Sequence, residues 1–134
     1  MTKYLFTGSR DWTDEEAVRA WFDHLAIGPD DLVVDGGARG LDSIAFKLAK
    51  EYGVQTRRFF ADWKTHGYMA GPIRNRLMYD TIQPDYVLGF PLAQSKGTRD
   101  MLAYASLKHV RVLLDCTQYG PPVKASGKRV PKDQ

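Results

Sequence analysis

Short apolar runs alternate with amphipathic stretches along most of this chain. Tyr4–Thr7 reads as a first strand ending in Gly8-Ser9-Arg10. Val18, Trp21, Phe22 and Leu25 then recur at helical spacing, with Thr13 and Glu16 forming a capping-box start and Gly28-Pro29 a stop. Leu32–Val34 predicts a second strand that runs into Asp35-Gly36-Gly37-Ala38-Arg39-Gly40. The next helix turns Leu41, Ile44, Ala45, Leu48 and Tyr52 inward and closes at Gly53. Val54–Phe60 is a third strand, its apolar pattern broken by Arg57-Arg58. A long connection from Ala61 to Gly71 carries Asp62, Trp63, His66, Gly67 and Tyr68, and connections of this length in compact domains are often functional. Pro72 suits the first turn of a third helix that buries Ile73, Leu77 and Ile82. Strand Tyr86–Phe90, helix Thr98–Lys108 and strand Val110–Leu114 complete the series.

Strands separated by helices imply an α/β fold, a mostly parallel sheet of about five strands with helices on both faces. Residues 1–116 form one domain in this reading. Residues 117–134, rich in Pro, Gly and Lys without apolar periodicity, form a basic tail expected to be flexible or to wrap the surface. The polar and Gly-rich clusters fall after strands: Gly8 to Arg10, Gly36 to Gly40, Asp62 to Gly71, and Lys96 to Asp100. Ligands of open α/β sheets bind outside the carboxyl ends of the strands, so these clusters mark the expected site.

Composition narrows the class. At 134 residues with 43% hydrophobic content, the chain can bury a core without disulfides or metals. Its lone cysteine, Cys116, cannot form an intramolecular disulfide, which fits a reducing compartment. The N-terminus lacks a signal peptide's apolar stretch and no run reaches membrane-spanning length, so a cytoplasmic location is expected. The net charge of +3 resides in the tail, where Lys124, Lys128, Arg129 and Lys132 outweigh Asp133. The preceding residues balance, which gives little support for a duplex-binding face.

The first loop, Gly8-Ser9-Arg10, lacks the G-x-G-x-x-G dinucleotide fingerprint and reads equally as a phosphate contact or a plain turn. Gly36-Gly37-Ala38-Arg39-Gly40 opens a helix directly after a strand, which favours anion contact by backbone amides. It lacks the Walker lysine and hydroxyl, so a nucleoside triphosphatase is not indicated. Asp42 reads as a carboxylate matched to the helix dipole. Gly97-Thr98 at the start of the last helix is a second anion cradle, with Asp100 in its first turn. Arg74 and Asn75 sit either on a solvated helix face or at the pocket edge, where a guanidinium clamps a phosphate. Trp63, His66 and Tyr68 can stack on a base, form a lid, or fill a minor core. His24 and His109 sit in or beside predicted helices, no pair of His or Cys residues stands at metal-ligand spacing, and neither a metal nor a cofactor is expected.

The ordered set of these pieces resembles the SLOG superfamily, and within it the YspA/YpsA-related group. The matching segments are Gly8-Ser9-Arg10; Asp35 through Asp42; Asp62-Trp63; Ala70-Gly71-Pro72-Ile73-Arg74-Asn75; Phe90-Pro91; and Gly97-Thr98-Arg99-Asp100-Met101. The resemblance implies a Rossmann-like three-layer sandwich whose Gly-rich loops bind a nucleotide or nucleotide-derived ligand. Several SLOG relatives are regarded as sensors of such ligands. More distantly, the chain is similar to the LOG enzymes, which hydrolyse the N-glycosidic bond of a nucleoside 5′-monophosphate. Their signature is an arginine-bearing helix followed by P-G-G-x-G-T-x-x-E. Arg74 falls on that arginine, Pro91, Gly97 and Thr98 fall on the second motif, and Asp100 partners its glutamate. The segment between Pro91 and Gly97 is longer here, with Lys96 where a glycine is usual, and Asp100 is one methylene short of Glu. A displacement of about 1 Å can cost roughly 100-fold in rate, so binding tolerates these departures better than catalysis does.

The first expectation is therefore a nucleotide-binding module. Gly8, Ser9, Arg10, Gly36, Gly37, Gly40, Gly97 and Thr98 form its cradle, with Arg74 and Asn75 at the edge. A LOG-like phosphoribohydrolase using Arg74 and Asp100 as catalytic residues is the alternative, and nucleic-acid interaction through the basic tail ranks last. Self-association as a homodimer is an expectation from the resemblance alone.

Overall fold

A computed structural model describes residues 1–93 and 95–116. Among these, β1 (Lys3–Gly8), β2 (Leu32–Asp35), β3 (Gln55–Arg58), β4 (Tyr86–Phe90) and β5 (Val112–Asp115) form one sheet in the order β3-β2-β1-β4-β5. Every neighbouring pair is parallel. The helices are α1 (Glu15–His24), α2 (Leu41–Glu51), α3 (Trp63–His66), α4 (Ala70–Ile82) and α5 (Lys96–Leu107), with a 3₁₀ turn, Gly67–Met69, between α3 and α4. Parallel strands cannot be joined by tight hairpins, so each step along the sheet needs a crossover, and here each crossover carries helix. The expected three-layer α/β sandwich is the observed fold.

Strand registry sorts the apolar residues into two faces. Leu5 pairs with Val34 on one side and Val87 on the other, and this row packs against Met78, Tyr79 and Ile82 of α4 and Met101 and Ala105 of α5. The alternate positions Tyr4, Phe6, Val33, Leu88 and Phe90 face Val18, Trp21 and Phe22 of α1 and Leu41, Ala45 and Leu48 of α2. The sheet is thus apolar on both faces. Burial of each large side chain contributes about 1.5–3 kcal/mol before entropy is counted.

Several boundaries differ from the sequence expectation. α1 is capped by Asp14, whose carboxylate accepts from the Ala17 amide at 3.1 Å, so the helix starts one residue later than a Thr13 cap would set. It ends at His24 with Leu25 as its C-cap, before Gly28, and Ala26 then turns to positive φ. β3 is shorter than Val54–Phe60 because it is an edge strand, covered on fewer sides, so its polar Gln55 and Arg57 stay exposed. The connection from Ala61 is largely helical, with Asp62 capping α3 through the Thr65 amide.

The largest correction concerns α4. Ile73 is 40% and Leu77 58% exposed, whereas Asn75 is 2% exposed. The buried face is Gly71, Asn75, Met78, Tyr79 and Ile82. Two apolar stripes compete on this helix. The one holding Met78, Tyr79 and Ile82 wins because it meets the Leu5–Val34–Val87 row, and this rotation carries Arg74 and Asn75 toward the carboxyl end of the sheet. The basic tail and the nucleic-acid reading that depends on it lie outside the described residues. Among the described residues, no helix is long and apolar enough to cross a membrane.

Candidate functional site

The chain leaves β1 toward β2 on one side and leaves β4 toward β5 on the other, so a crevice opens where the strand order reverses. A cavity of about 740 Å³ occupies that position, within the range typical of small-ligand sites. Gly8, Ser9, Arg10, Arg74, Asn75, Gly97, Thr98 and Asp100 all line it. Gly36 and Gly37 line an adjoining cavity of about 360 Å³.

At the end of β1, the glycine serves the chain's own packing. A Cβ on Gly8 would lie 2.3 Å from Leu41 Cγ, so only glycine lets the first residue of α2 settle on this strand end. Ser9 is a brace: its amide donates to Phe90 O, its carbonyl accepts from the Trp12 and Leu41 amides, and its Oγ accepts from the Asp11 amide. Arg10 extends outward, its guanidinium 5.1 Å from the centroid of the Trp63 ring. Gly40 has φ +74°, and a Cβ there would sit 2.4 Å from Arg10 O. It locks the first two loops together.

The second loop forms the amide nest that its sequence suggests, but the chain's own carboxylates fill it. Asp42 Oδ2 accepts from Gly36 N at 3.1 Å and Ala38 N at 3.2 Å, and Asp35 Oδ1 accepts from Gly37 N at 2.6 Å. These amides are therefore engaged, which differs from the open anion cradle expected there. Both carboxylates are buried. Loss of hydration, reinforced by the neighbouring Asp35, pushes the Asp42 carboxyl up to about 7. Asp35 is also raised by burial, partly offset by the Gly37 amide and by Arg58, whose Nε donates to Asp35 Oδ1 at 2.9 Å. A glycine-rich run flanked by carboxylates was the available signal for Asp35 and Asp42. Reading Asp42 only as a dipole partner missed its burial.

Arg74 reaches back from α4 to this loop. Its Nη1 donates to Gly36 O, and its Nε donates to Asn75 Oδ1 at 2.9 Å. The guanidinium borders both cavities. Burial lowers its pKa from the ordinary value, yet an arginine keeps its charge at neutral pH. Asn75 turns its amide the other way, donating to Gly97 O and to Asp100 Oδ2, each at 3.1 Å. One buried side chain thereby fixes α4, the first turn of α5, and the separation of Arg74 from Asp100. Asp100 is further held by Arg76, whose Nη1 lies 3.0 Å from Oδ2. Arg76 flanks Asn75 in the sequence, but its role at the site was not readable there because it needs α4 and α5 side by side.

The first turn of α5 differs from those of α1 and α3, which carry aspartate caps. Its N-cap residue, Ser95, makes no side-chain cap, and the Ser95 Oγ accepts from the Leu92 amide instead. Lys96, Gly97 and Thr98 border the large cavity, and a Cβ on Gly97 would meet no atom of the described residues within 4 Å. Helix N-termini attract anions. The charges around the cavity agree: Asp11 is 3.5 Å from Arg39, Asp100 is held by Arg76, and Asp42 is partly protonated near neutral pH. Arg10, Arg74 and Lys96 tip the balance toward an anionic occupant. Trp63 and Tyr68 also border the cavity, whereas His66 does not line either cavity. Among the described residues, no group of three or more His, Cys, Asp or Glu side chains gathers to hold a metal.

Comparison with known proteins gives three findings. The sequence profile of the YspA, cpYpsA-related SLOG family (YAcAr) matches residues 2–66, which hold the first two loops and Trp63. The gene 61 protein of Mycobacterium phage D29 is 39% identical over 120 residues, spanning 84% of this chain and 95% of that protein. The X-ray structure of DNA processing protein A (DprA) from Streptococcus pneumoniae aligns with a TM-score of 0.65 at 16% identity, over 85% of this chain. This chain spans half the length of DprA, at an identity where the likeness is one of fold.

Proposed function

Because the chain belongs to the YspA, cpYpsA-related SLOG family, we propose that its large cavity binds, and in the cell senses, a nucleotide or nucleotide-derived ligand. The observation that carries this reading is the α5 N-terminus. It has no side-chain cap, it opens on the cavity at the sheet's switch point, and it bears a glycine whose missing side chain leaves room that no other described residue fills. A phosphate seated there takes hydrogen bonds from the first-turn amides, with Lys96 beside them and Arg74 and Arg10 across the cavity. Gly8, Ser9, Gly36 and Gly40 contribute by holding the loops in position. The chain's own contacts account for the room left at Gly8, Gly36 and Gly40.

One observation favours a second reading, hydrolysis of the N-glycosidic bond of a nucleoside 5′-monophosphate. Arg74 and Asp100 border the same cavity, and Asn75 fixes both by hydrogen bonds. In this reading Asp100, paired with Arg76, stabilises the oxocarbenium-like centre or orients water while Arg74 holds the substrate. Binding ranks first, since Asp100 is already committed to two donors.

Incubation with a panel of nucleoside monophosphates, scored for free base by liquid chromatography and mass spectrometry, separates the two. Thermal shift is measured on the same samples, with Asp100→Asn and Arg74→Ala alongside. A melting shift without base release supports the binding module. Base release lost in both variants promotes the hydrolase. Neither shift nor release with any nucleotide would overturn both.

A further inference from the structure

The large cavity does not end at Arg74. The cavity of about 360 Å³ lies beyond it, and Arg10, Arg39, Trp63 and Arg74 border both. At this shared boundary the Arg10 guanidinium lies over the Trp63 ring, and the Arg74 guanidinium borders both lobes. Trp63 remains 47% exposed on a helix of only four residues.

The two lobes offer different chemistry. In the large one, the α5 first turn presents amide donors to an anion. In the small one, the wall formed by Gly36, Gly37 and Ala38 has its amides engaged by Asp42 and Asp35, so it cannot cradle a phosphate through the backbone. What that lobe provides is ring surface. Phe60 borders it, 68% exposed, at the end of the segment following β3. Its ring lies so close to Gly37 that a Cβ there would come within 2.4 Å. Phe60 and Trp63 each carry a guanidinium over the ring, Arg58 at 5.4 Å and Arg10 at 5.1 Å from the centroids, and their remaining ring surface suits a planar group with arginine donors around it. Between the lobes, Arg10 and Arg74 stand where a phosphate chain passing from one to the other needs cations.

Building on the nucleotide reading of the large cavity, we propose that the small lobe is the site for the second arm of a dinucleotide-class ligand. Such a ligand is a nucleoside diphosphate joined through its terminal phosphate to a second nucleoside. The first phosphate takes the α5 amides, the second passes between Arg10 and Arg74, and the second base stacks against Phe60 and Trp63. This assignment does not need the G-x-G-x-x-G fingerprint that the first loop lacks, because the amide donors come from α5.

The test is calorimetric titration of the full chain with AMP, ADP and NAD, the last as a dinucleotide probe, on wild type, Phe60→Ala and Phe60→Tyr. Stacking of a base on an aromatic ring is worth about 10-fold in affinity. NAD is expected to bind at least about 10-fold more tightly than AMP, with that advantage lost in Phe60→Ala and kept in Phe60→Tyr. AMP affinity should stay within about twofold in both variants, since Phe60 does not border the large cavity. Equal affinity for AMP and NAD on wild type overturns the second arm and leaves the nucleotide reading standing. So does an equal loss of both ligands in Phe60→Ala. If no nucleotide binds, the two readings fall together.

Discussion

Gly97 offers the sharpest test, because replacing it with alanine should move stability and binding in opposite directions. The residue sits in the first turn of α5 with helical φ, and an added Cβ meets no atom of the described residues within 4 Å. No steric penalty is therefore expected. Alanine is better than glycine inside a helix by about 0.5–1 kcal/mol, and a first-turn position keeps the lower part of that range. For a domain of this size that raises Tm by about 2–4 °C. Binding should respond differently. Helical Cβ atoms tilt toward the N-terminus, so the methyl group leans into the space an anion must enter to reach the first-turn amides. Loss of one hydrogen bond to a charged group costs about 1.5–3 kcal/mol, or about 10- to 150-fold in Kd. Thermal denaturation without ligand and calorimetric titration with AMP give the two quantities on one preparation. Unchanged AMP affinity would falsify the placing of the anion on α5. A lower Tm would mean that Gly97 has a packing role absent from this account.

The same substitution elsewhere should behave in the opposite way. Gly40→Ala is expected to destabilise by about 1–3 kcal/mol from backbone strain alone, with the collision against the Arg10 carbonyl added, read as a fall in the urea midpoint. Asn75→Leu, which removes the brace between α4 and α5, should cost about 1–3 kcal/mol and weaken nucleotide binding as well; normal binding by a folded variant would show that Arg74 and Gly97 hold their places without it. Asp42 makes stability depend on pH. Its folded pKa of about 7 lies above the ordinary carboxyl value, so the folded chain keeps a proton that the unfolded chain has released. That contribution is complete below about pH 4 and is lost as pH rises through about 7, an effect on the order of 4 kcal/mol. Urea midpoints of wild type and Asp42→Asn at pH 5 and pH 8 isolate it: the wild type should lose more stability on going to pH 8, and equal losses would refute the assignment. Asp100→Asn removes a partly exposed ion pair and should cost about 0–1 kcal/mol, so any loss of base release in that variant reports on chemistry instead of folding.

Much of the fold follows from local patterning. Alternation of apolar runs with helical repeats predicted the parallel sheet, and strand Tyr86–Phe90 falls where expected. Placing the polar clusters after strands led to the carboxyl edge, where the large cavity lies. The helix that failed was α4, whose Ile73–Leu77 spacing is as helical as Met78–Ile82. Periodicity identifies a helix but does not choose between two stripes of similar hydrophobicity. That choice was made by the Leu5–Val34–Val87 row, which exists only once three strands distant in sequence are in register.

The site divides in the same way. Glycine-rich turns and a helix opening at Gly97 could be read directly, since the geometry of a turn and the unpaired amides of a helix start belong to a few consecutive residues. Which of those amides a ligand can use was not readable. Asp42 fills the nest at Gly36 and Ala38, Arg74 spans 38 positions to reach Gly36 O, and Asn75 spans 22 to reach Gly97 O. The sequence by itself determined the order of the elements and the edge of the sheet where polar groups collect. Only the tertiary structure decided that the second loop is closed by the chain's own carboxylates while α5 opens on the cavity. A hydrogen bond between distant segments depends on where the folded backbone brings them, and nothing in the spacing of either segment encodes that meeting.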